Sequence, residues 1–347
     1  MKAVMFDGVN SVKVGEVSKP VLLTNKDALV KITHASICGT DLNILNGKIP
    51  VEANAIMGHE GVGVVEEAGS GVSRVKRGDR VVISYSISCG ECQNCRNGLV
   101  VFCDHGGMLG HGAKFGGYGG TQAEYLRVPW ADANLHPIPA NLTEEQAIFV
   151  GDILSTGYQA VGDHYVQPGD FVVIFGAGPV GLCTIAAARL FGPRKIVSVD
   201  VVDYRLEAAM ALGADFVIHA KRKNPAEEIK KMTDGKGADV AVEAVGSPET
   251  FYGCFESVRP GGKISLVGVF PDEKVGFSLR DMLRRNLQIK AGRANLIHMD
   301  RLLSLIDSGK LDLAPLITHR MPLNEAAEAY RLFSTRSDHV LKIILKP

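Results

Sequence analysis

Little in this sequence draws it toward a charged partner. Lysine and arginine together equal aspartate and glutamate, 38 against 38. That balance removes the basic field nucleic acid or an anionic membrane surface requires. The densest basic run, Arg280, Arg284 and Arg285, has helical spacing and reads as a solvated helix face or a subunit contact. No apolar stretch reaches the roughly 18 residues of a membrane span before glycine or charge interrupts it. The opening, Met1-Lys2-Ala3-Val4-Met5-Phe6, is strand-like and closed by Asp7-Gly8, unlike a secretory leader. A cytoplasmic protein with no nucleic-acid and no membrane partner is expected. Internal repeats and low-complexity tracts are also lacking. The seven cysteines are an odd number, and four crowd between Cys89 and Cys103. A metal site in a reducing compartment suits them better than a disulfide framework.

What is present is enough for two domains: 347 residues, nearly half of them hydrophobic. Up to about Phe149 the chain has short β-branched runs (Ala28–Ile32, Gly61–Val65, Arg80–Ile83, Ala123–Val128) separated by Gly69-Ser70-Gly71 and Lys76-Arg77-Gly78-Asp79, a mostly β pattern. From Leu154 strand and helix alternate. Phe171–Phe175 is a continuous apolar run of the kind a doubly covered parallel strand shows. A helix over Val180–Phe191 follows, then strand Lys195–Val199, a helix capped by Asp203, strand Asp215–Ile218 and a helix opened by Asn224-Pro225. Strands Asp239–Glu243 and Lys263–Val267 continue the series. The fold class is therefore α/β, with a Rossmann-type doubly wound parallel sheet beside a mostly β domain. Residues 154–292 are expected to form the nucleotide domain, and 1–153 with 293–347 the other, the strand Val340–Leu345 returning to it.

Gly176-Ala177-Gly178-Pro179-Val180-Gly181 fits G-x-G-x-x-G and lies between an apolar strand and an Ala-rich helix, the context a dinucleotide turn demands. Gly176 permits the turn, Gly178 lets a pyrophosphate reach the backbone, and Gly181 lets helix and strand pack. Asp200 ends the second strand at the separation expected of the acid that binds a ribose 2′-hydroxyl, where it would repel a 2′-phosphate. NAD is thus favoured over NADP; the plainer alternative is that Asp200 only closes a turn.

Cys89, Cys92, Cys95 and Cys103, with Gly90 and Gly98 between them, offer four soft ligands for a closed structural zinc site. An iron–sulfur cluster is the rival, but its usual run has three residues before the fourth cysteine and a proline after it. Here seven residues intervene and Asp104 follows. Cys183 and Cys254, on apolar helices, read as inert core. In the same half of the chain, Cys38-Gly39-Thr40-Asp41 and Gly58-His59-Glu60 fall in loops. Asp152 lies where one domain gives way to the other and can supply a third ligand, leaving a position open as a catalytic zinc requires.

Taken together, these motifs in this order resemble the medium-chain, zinc-dependent alcohol dehydrogenases over essentially the whole chain. The resemblance implies a GroES-like catalytic domain joined to the Rossmann domain. It places a catalytic zinc on Cys38, His59 and Asp152, with Glu60 beside it as an adjacent or exchanging ligand and Asp41 orienting His59. It implies that Thr40 bonds the substrate oxygen, that Thr156 and Val267-Gly268-Val269 hold the nicotinamide, that Arg205 lies near the adenosine ribose, and that Lys342 lies near the pyrophosphate. The alternative for Lys342 is a surface charge, and Arg205 could instead pair with Asp203 or Glu207. The implied substrate is a small alcohol or carbonyl compound, and a tetrameric homo-oligomer is implied by the short segment between Cys103 and Asp152. The chemistry has a simple basis: an alcohol yields a hydride readily only once its proton has gone, and a Lewis-acidic cation eases that loss at about 1.36 kcal/mol per pKa unit.

The sequence departs from the family pattern where Asn43 stands in place of a relay histidine and where Asp152 replaces a cysteine. Other readings remain: a polyol, butanediol or threonine dehydrogenase of the same family, or a non-enzymatic nucleotide-binding zinc protein. The loop Gly116–Gln122 and Trp130 lie near where the family builds its substrate pocket.

Overall fold

A computed structural model describes residues 1–162, 164–270 and 274–347. The chain divides into two compact units, one of residues 1–155 with 295–347 and one of residues 156–294.

In the first unit the β-branched runs pair into a seven-stranded sheet. Its strands lie in the order Ile317–Pro322, Lys342–Lys346, Ala28–Ser36, Glu60–Ala68, Arg80–Ile83 and Leu135–Pro137, with Tyr125–Val128 also paired to Ala28–Ser36. Side chains alternate across such strands, so Val30, Ile32, Val65, Val81, Ile83, Leu126 and Val128 gather in one buried core. Trp130 packs partly buried against this core. A second core joins Val4, Phe6, Ile37 and Ile44 to Tyr330, Phe333, Ile343 and Leu345 from the end of the chain. Burying such side chains yields about 1.5–3 kcal/mol each, which anchors the loops carrying the polar residues described below.

In the second unit, Phe171–Phe175 is buried at every position, as a strand covered on both faces must be. It lies in a wholly parallel six-stranded sheet ordered Phe216–His219, Lys195–Asp200, Phe171–Phe175, Ala238–Glu243, Val258–Leu266 and Gln288–Ala291. By position along the chain that is third, second, first, fourth, fifth, sixth, the doubly wound order with its reversal beside Phe171–Phe175. The Rossmann-plus-GroES-like fold class read from the sequence is the one observed.

Two local expectations are corrected. Asp203 does not cap its helix: the helix spans Asp203–Ala211 with Val202 at its N-cap. The Asp200 carboxylate takes the N–H groups of Val201 and Val202 at 2.7 and 3.1 Å instead, while Asp203 pairs with Arg222. The basic run 280–285 is not wholly solvated either, because Arg285 turns inward to donate to the carbonyls of Phe255 and Val258. Asn224 does cap its helix, accepting from the N–H groups of Ala226 and Glu227 with Pro225 at the first helical position. Cys183 and Cys254 are fully buried. Among the described residues no helix is long and apolar enough to cross a membrane.

Candidate active site

Asp41 organises the first polar cluster. It lies in the helix Gly39–Leu45, and its Oδ2 accepts the backbone N–H of Cys38 at 2.9 Å. Its Oδ1 stands 3.1 Å from Nδ1 of His59, both side chains being buried. Asp41 therefore fixes the backbone of one soft donor and faces the ring of another. His59 enters from Gly58, whose φ of +92° suits glycine, and precedes the strand Glu60–Ala68. Asp152 sits between a 3-10 turn and the helix Ile153–Val161. Its Oδ2 lies 3.2 Å from His59 Nε2 and 3.6 Å from Cys38 Sγ.

One donor atom each from Cys38, His59, Glu60 and Asp152 lies within 4.8 Å of all the others. The spacing fits a zinc ion. Tetrahedral bonds of about 2.3 Å to sulfur and 2.1 Å to oxygen or nitrogen would hold sulfur and oxygen about 3.6 Å apart. Electrostatics agree. Burial alone would push His59 down, but the Asp41 and Cys38 charges and hydrogen bonds to Asp152 and Asp41 hold it well above its usual value. Burial would push Asp152 up, and His59 and Lys342 more than reverse it. Burial, together with the Asp152 and Glu60 carboxylates, raises the Cys38 thiol. Three acidic groups on one buried imidazole is a donor set short of positive charge, which a divalent cation would supply.

Glu60 is tied from outside the cluster. Ser36 donates its hydroxyl to one carboxylate oxygen, and Lys342 Nζ donates to the other at 2.7 Å. Lys342 is wholly buried, which overturns the surface-charge alternative, and its ammonium is committed to Glu60. Thr40 Oγ1 stands 4.0 Å from Cys38 Sγ, at the margin of the donor set. Asn43 receives the N–H groups of Lys48 and Ile49 on its backbone carbonyl.

Residues that sequence reasoning passed over complete the surround. Gln122 is fully buried; its amide donates to the Ser36 carbonyl at 3.2 Å and to Asp41 at 3.4 Å, while its oxygen accepts the Tyr330 hydroxyl at 3.0 Å. The loop Gly116–Gln122 thus delivers a side chain to the back of Asp41. His111 is buried with its ring 5.3 Å from that of His59. Burial, then the His59 charge, presses its pKa down to about 4. Its only signal in the sequence is a polar residue between Gly110 and Gly112.

In the lobe, one sulfur each from Cys89, Cys92, Cys95 and Cys103 lies within 4.8 Å of the rest. The Cys92 and Cys103 sulfurs are 3.9 Å apart, too far for a disulfide and near the edge of a tetrahedral zinc–thiolate site. Backbone N–H groups converge on them: Cys89 and His105 donate to the Cys103 sulfur, and Glu91 and Cys92 to that of Cys89. Hydrogen bonds from the N–H groups of Asp104 and Cys95 draw the Cys92 thiol down to about 7, toward the thiolate a metal needs.

In the second unit, Gly176 has φ +102°, and a Cβ on Gly181 would lie 1.8 Å from the Gly176 carbonyl oxygen. A Cβ on Gly178, by contrast, would meet only Arg205 Nη1, at 3.9 Å. Gly178 caps the helix Pro179–Arg189, in which Val180 and Gly181 form the first turn. Asp200 Oδ2 accepts the Ala177 N–H at 2.7 Å, so the acid and the glycine turn form one structure. Arg205 Nε is buried with no acceptor among the described residues. Val201, Val245 and Val269, each just beyond the carboxyl end of a strand, are 40, 51 and 55 % exposed. A backbone opening, an unpaired guanidinium nitrogen and bare apolar side chains at these strand ends fit a dinucleotide. Thr156 and Val267 are half-buried.

Comparison with known proteins converges on one family. Residues 24–140 match the alcohol dehydrogenase GroES-like domain and residues 179–305 the zinc-binding dehydrogenase domain. An uncharacterised zinc-type alcohol dehydrogenase-like protein, AdhB, of Bacillus subtilis strain 168 is 36 % identical over the full length of both chains. An alcohol dehydrogenase of Cupriavidus necator is also 36 % identical, covering 100 % of this chain and 99 % of its own. Among solved structures, alcohol dehydrogenase TADH from Thermus sp. ATN1 superposes with a TM-score of 0.96 at 42 % identity, covering 100 % of this chain and 99 % of its own.

Proposed function

The chain belongs to the zinc-dependent alcohol dehydrogenase family, an oxidoreductase family. From that premise we propose that it catalyses reversible hydride transfer between a small primary or secondary alcohol, or its aldehyde or ketone, and NAD. The observation that carries this reading is the buried convergence of Cys38, His59, Glu60 and Asp152 within 4.8 Å. A zinc ion held there would act as a Lewis acid, lowering the pKa of a substrate hydroxyl or polarising a carbonyl. Cys38, His59 and Asp152 would be its ligands, while Glu60 is restrained by Lys342 and Ser36. Asp41 holds the His59 ring, and Gln122 holds Asp41, which fixes the donor geometry before substrate arrives. Thr40 would bond the substrate hydroxyl and move its proton outward. Asn43 cannot take that proton as a histidine would, so the outer path runs through another group.

The lobe cysteines would hold a second zinc with a closed, structural role. In the nucleotide unit the Gly176–Gly181 turn would carry the pyrophosphate at the helix end, with Arg205 near the adenosine ribose. Thr156, Val267 and Val269 would meet the nicotinamide. Asp200, fixed by three backbone N–H groups, would bond the ribose hydroxyls and repel a 2′-phosphate, which favours NAD. A cytoplasmic tetramer completes the reading. Its test is NADH formation from 2-propanol, 2,3-butanediol, sorbitol and threonine, before and after chelation. Chelator-sensitive turnover is expected; no turnover of any of them returns the protein to the non-enzymatic alternative.

A further inference from the structure

Glu243 ends the strand Ala238–Glu243 with its side chain wholly buried. One carboxylate oxygen is crowded with donors. Oε1 accepts the N–H groups of Val245 and Gly246 at 2.9 and 2.8 Å and the Thr250 hydroxyl at 2.7 Å. None of these partners carries a charge. The other oxygen, Oε2, is buried and has no hydrogen-bond partner among the described residues. It is pressed against Gly268, where a Cβ would come within 2.5 Å of it. The backbone carbonyl of Glu243 takes the N–H groups of Val267 and Gly268 at 2.9 and 3.1 Å. The carboxylate therefore lies directly behind the Val267–Val269 segment that the reading above gives to the nicotinamide. Burial raises the Glu243 carboxyl above its usual value, and the donors on Oε1 oppose that rise by favouring the anion. Cys254, near enough to feel the same charge, is fully buried with its thiol pushed well up, so it stays neutral and offsets nothing. A buried anion without a counter-charge is costly to keep, and this one stands at the carboxyl end of the nucleotide sheet.

We infer that Glu243 tilts binding between the two redox states of the nucleotide: its uncompensated negative charge attracts the positively charged nicotinamide ring of NAD+ and has no such hold on the neutral ring of NADH. The inference rests on the dehydrogenase reading above and gives a role to a residue which that reading leaves unused. Oε2 is closed to contact with any ligand, so the effect is carried by charge across the Gly268 backbone and not by a hydrogen bond. Attraction of this kind outreaches contact. At an effective dielectric constant of about 20, unit charges about 10 Å apart attract by enough for a roughly tenfold change in affinity. The two nucleotides share the adenine, both riboses and the pyrophosphate, so contacts to those groups cancel in the ratio of their affinities.

The test measures the Kd of NADH by fluorescence titration and that of NAD+ by displacement of NADH, with zinc-loaded enzyme and no substrate. Glu243→Gln removes the charge and keeps an oxygen for the three donors. Its ratio of the NAD+ Kd to the NADH Kd should rise about tenfold over the wild type, which raises the potential of the bound couple by about 30 mV. Thr250→Val removes one donor and keeps the charge, and it should leave the ratio nearly unchanged. Infrared spectra of the NAD-bound wild type keep the inference testable should Glu243→Gln not fold. No acid carbonyl band is expected at neutral pH, and the band of a buried protonated carboxyl overturns the inference. A parallel weakening of both nucleotides in Glu243→Gln, as a purely structural clamp predicts, or an equal shift of the ratio in Thr250→Val, overturns it too. Each of these leaves the dehydrogenase reading intact. Binding of neither nucleotide to the wild type overturns the dehydrogenase reading, and this inference with it.

Discussion

Lys342 and Glu60 form an ion pair of 2.7 Å between two side chains with no solvent exposure, joined across 282 residues of chain. Lys342 opens the last strand, Lys342–Lys346, and Glu60 opens Glu60–Ala68; both strands flank Ala28–Ser36. The last strand thus supplies an ammonium that faces the donor cluster through Glu60. Burial would pull the Lys342 proton off, but the charges of Glu60 and Cys38 keep it on.

Breaking that pair should cost more than removing it. Lys342→Met leaves a buried carboxylate uncompensated, and denaturant unfolding should show a loss of about 3–5 kcal/mol. The double variant Lys342→Met with Glu60→Gln should recover much of that loss, because no lone charge remains. A single variant as stable as the double would show that Glu60 finds water or protonates cheaply, contrary to its burial.

The sequence disclosed what is local and hid what is not. The glycine turn was legible because strand, turn and helix are consecutive and each glycine has its own steric duty. The lobe was legible because its four sulfurs lie within fifteen residues. Cys38, His59 and Asp152 are separated by up to 114 residues; loop placement and the domain junction suggested them as a ligand set, and the family resemblance then implied it. Gln122 reaches Tyr330 over 208 residues, a relation no periodicity encodes. The resemblance implied a pyrophosphate-facing Lys342, and a surface charge was its alternative because lysine is mostly exposed; parallel pairing with Ile317–Pro322 and antiparallel pairing with Ala28–Ser36 carry it inside. Asp203 was misplaced by one residue: the helix already begins at Asp203, so Val202 holds the N-cap position and the Asp203 carboxylate is free to pair with Arg222.

Asp200→Gly should weaken NADH binding by about tenfold, the value of one or two hydrogen bonds to a carboxylate. NADPH should bind no worse, since the repulsion of its phosphate goes with the side chain. Fluorescence titration of both nucleotides measures the ratio directly. An unchanged NADH-to-NADPH ratio would remove Asp200 from the ribose site and leave it the keeper of the Ala177 turn.

Metal analysis of the purified protein should return about two zinc ions per chain, one for each donor cluster. Cys103→Ser removes the sulfur on which the N–H groups of Cys89 and His105 converge. It should lower the count to about one and the Tm by several degrees, since binding free energy at a structural site is folding free energy. Asp152→Ala should also lower the count to about one, but chiefly at the expense of turnover. Full zinc content in Asp152→Ala would place the catalytic ion elsewhere.

Acid stability should depend on Glu145. Its carboxylate accepts from Arg320 at 2.7 and 2.9 Å and lies 3.3 Å from Lys346, joining the helix Glu144–Ala147 to two strands of the first sheet. The Arg320 hydrogen bonds, chiefly, draw its pKa down to about 2 from an ordinary 4.5. A depressed carboxylate stabilises the fold above its unfolded pKa, and that contribution drains away as pH falls from about 4.5 to about 2. Solvent screening of this partly exposed group limits the effect to about 1 kcal/mol. Arg320→Ala should therefore cost about that much at pH 6 and almost nothing near pH 2. Urea unfolding at both pH values tests it: a penalty of equal size at both would mean that Arg320 acts through packing and not through the charge of Glu145.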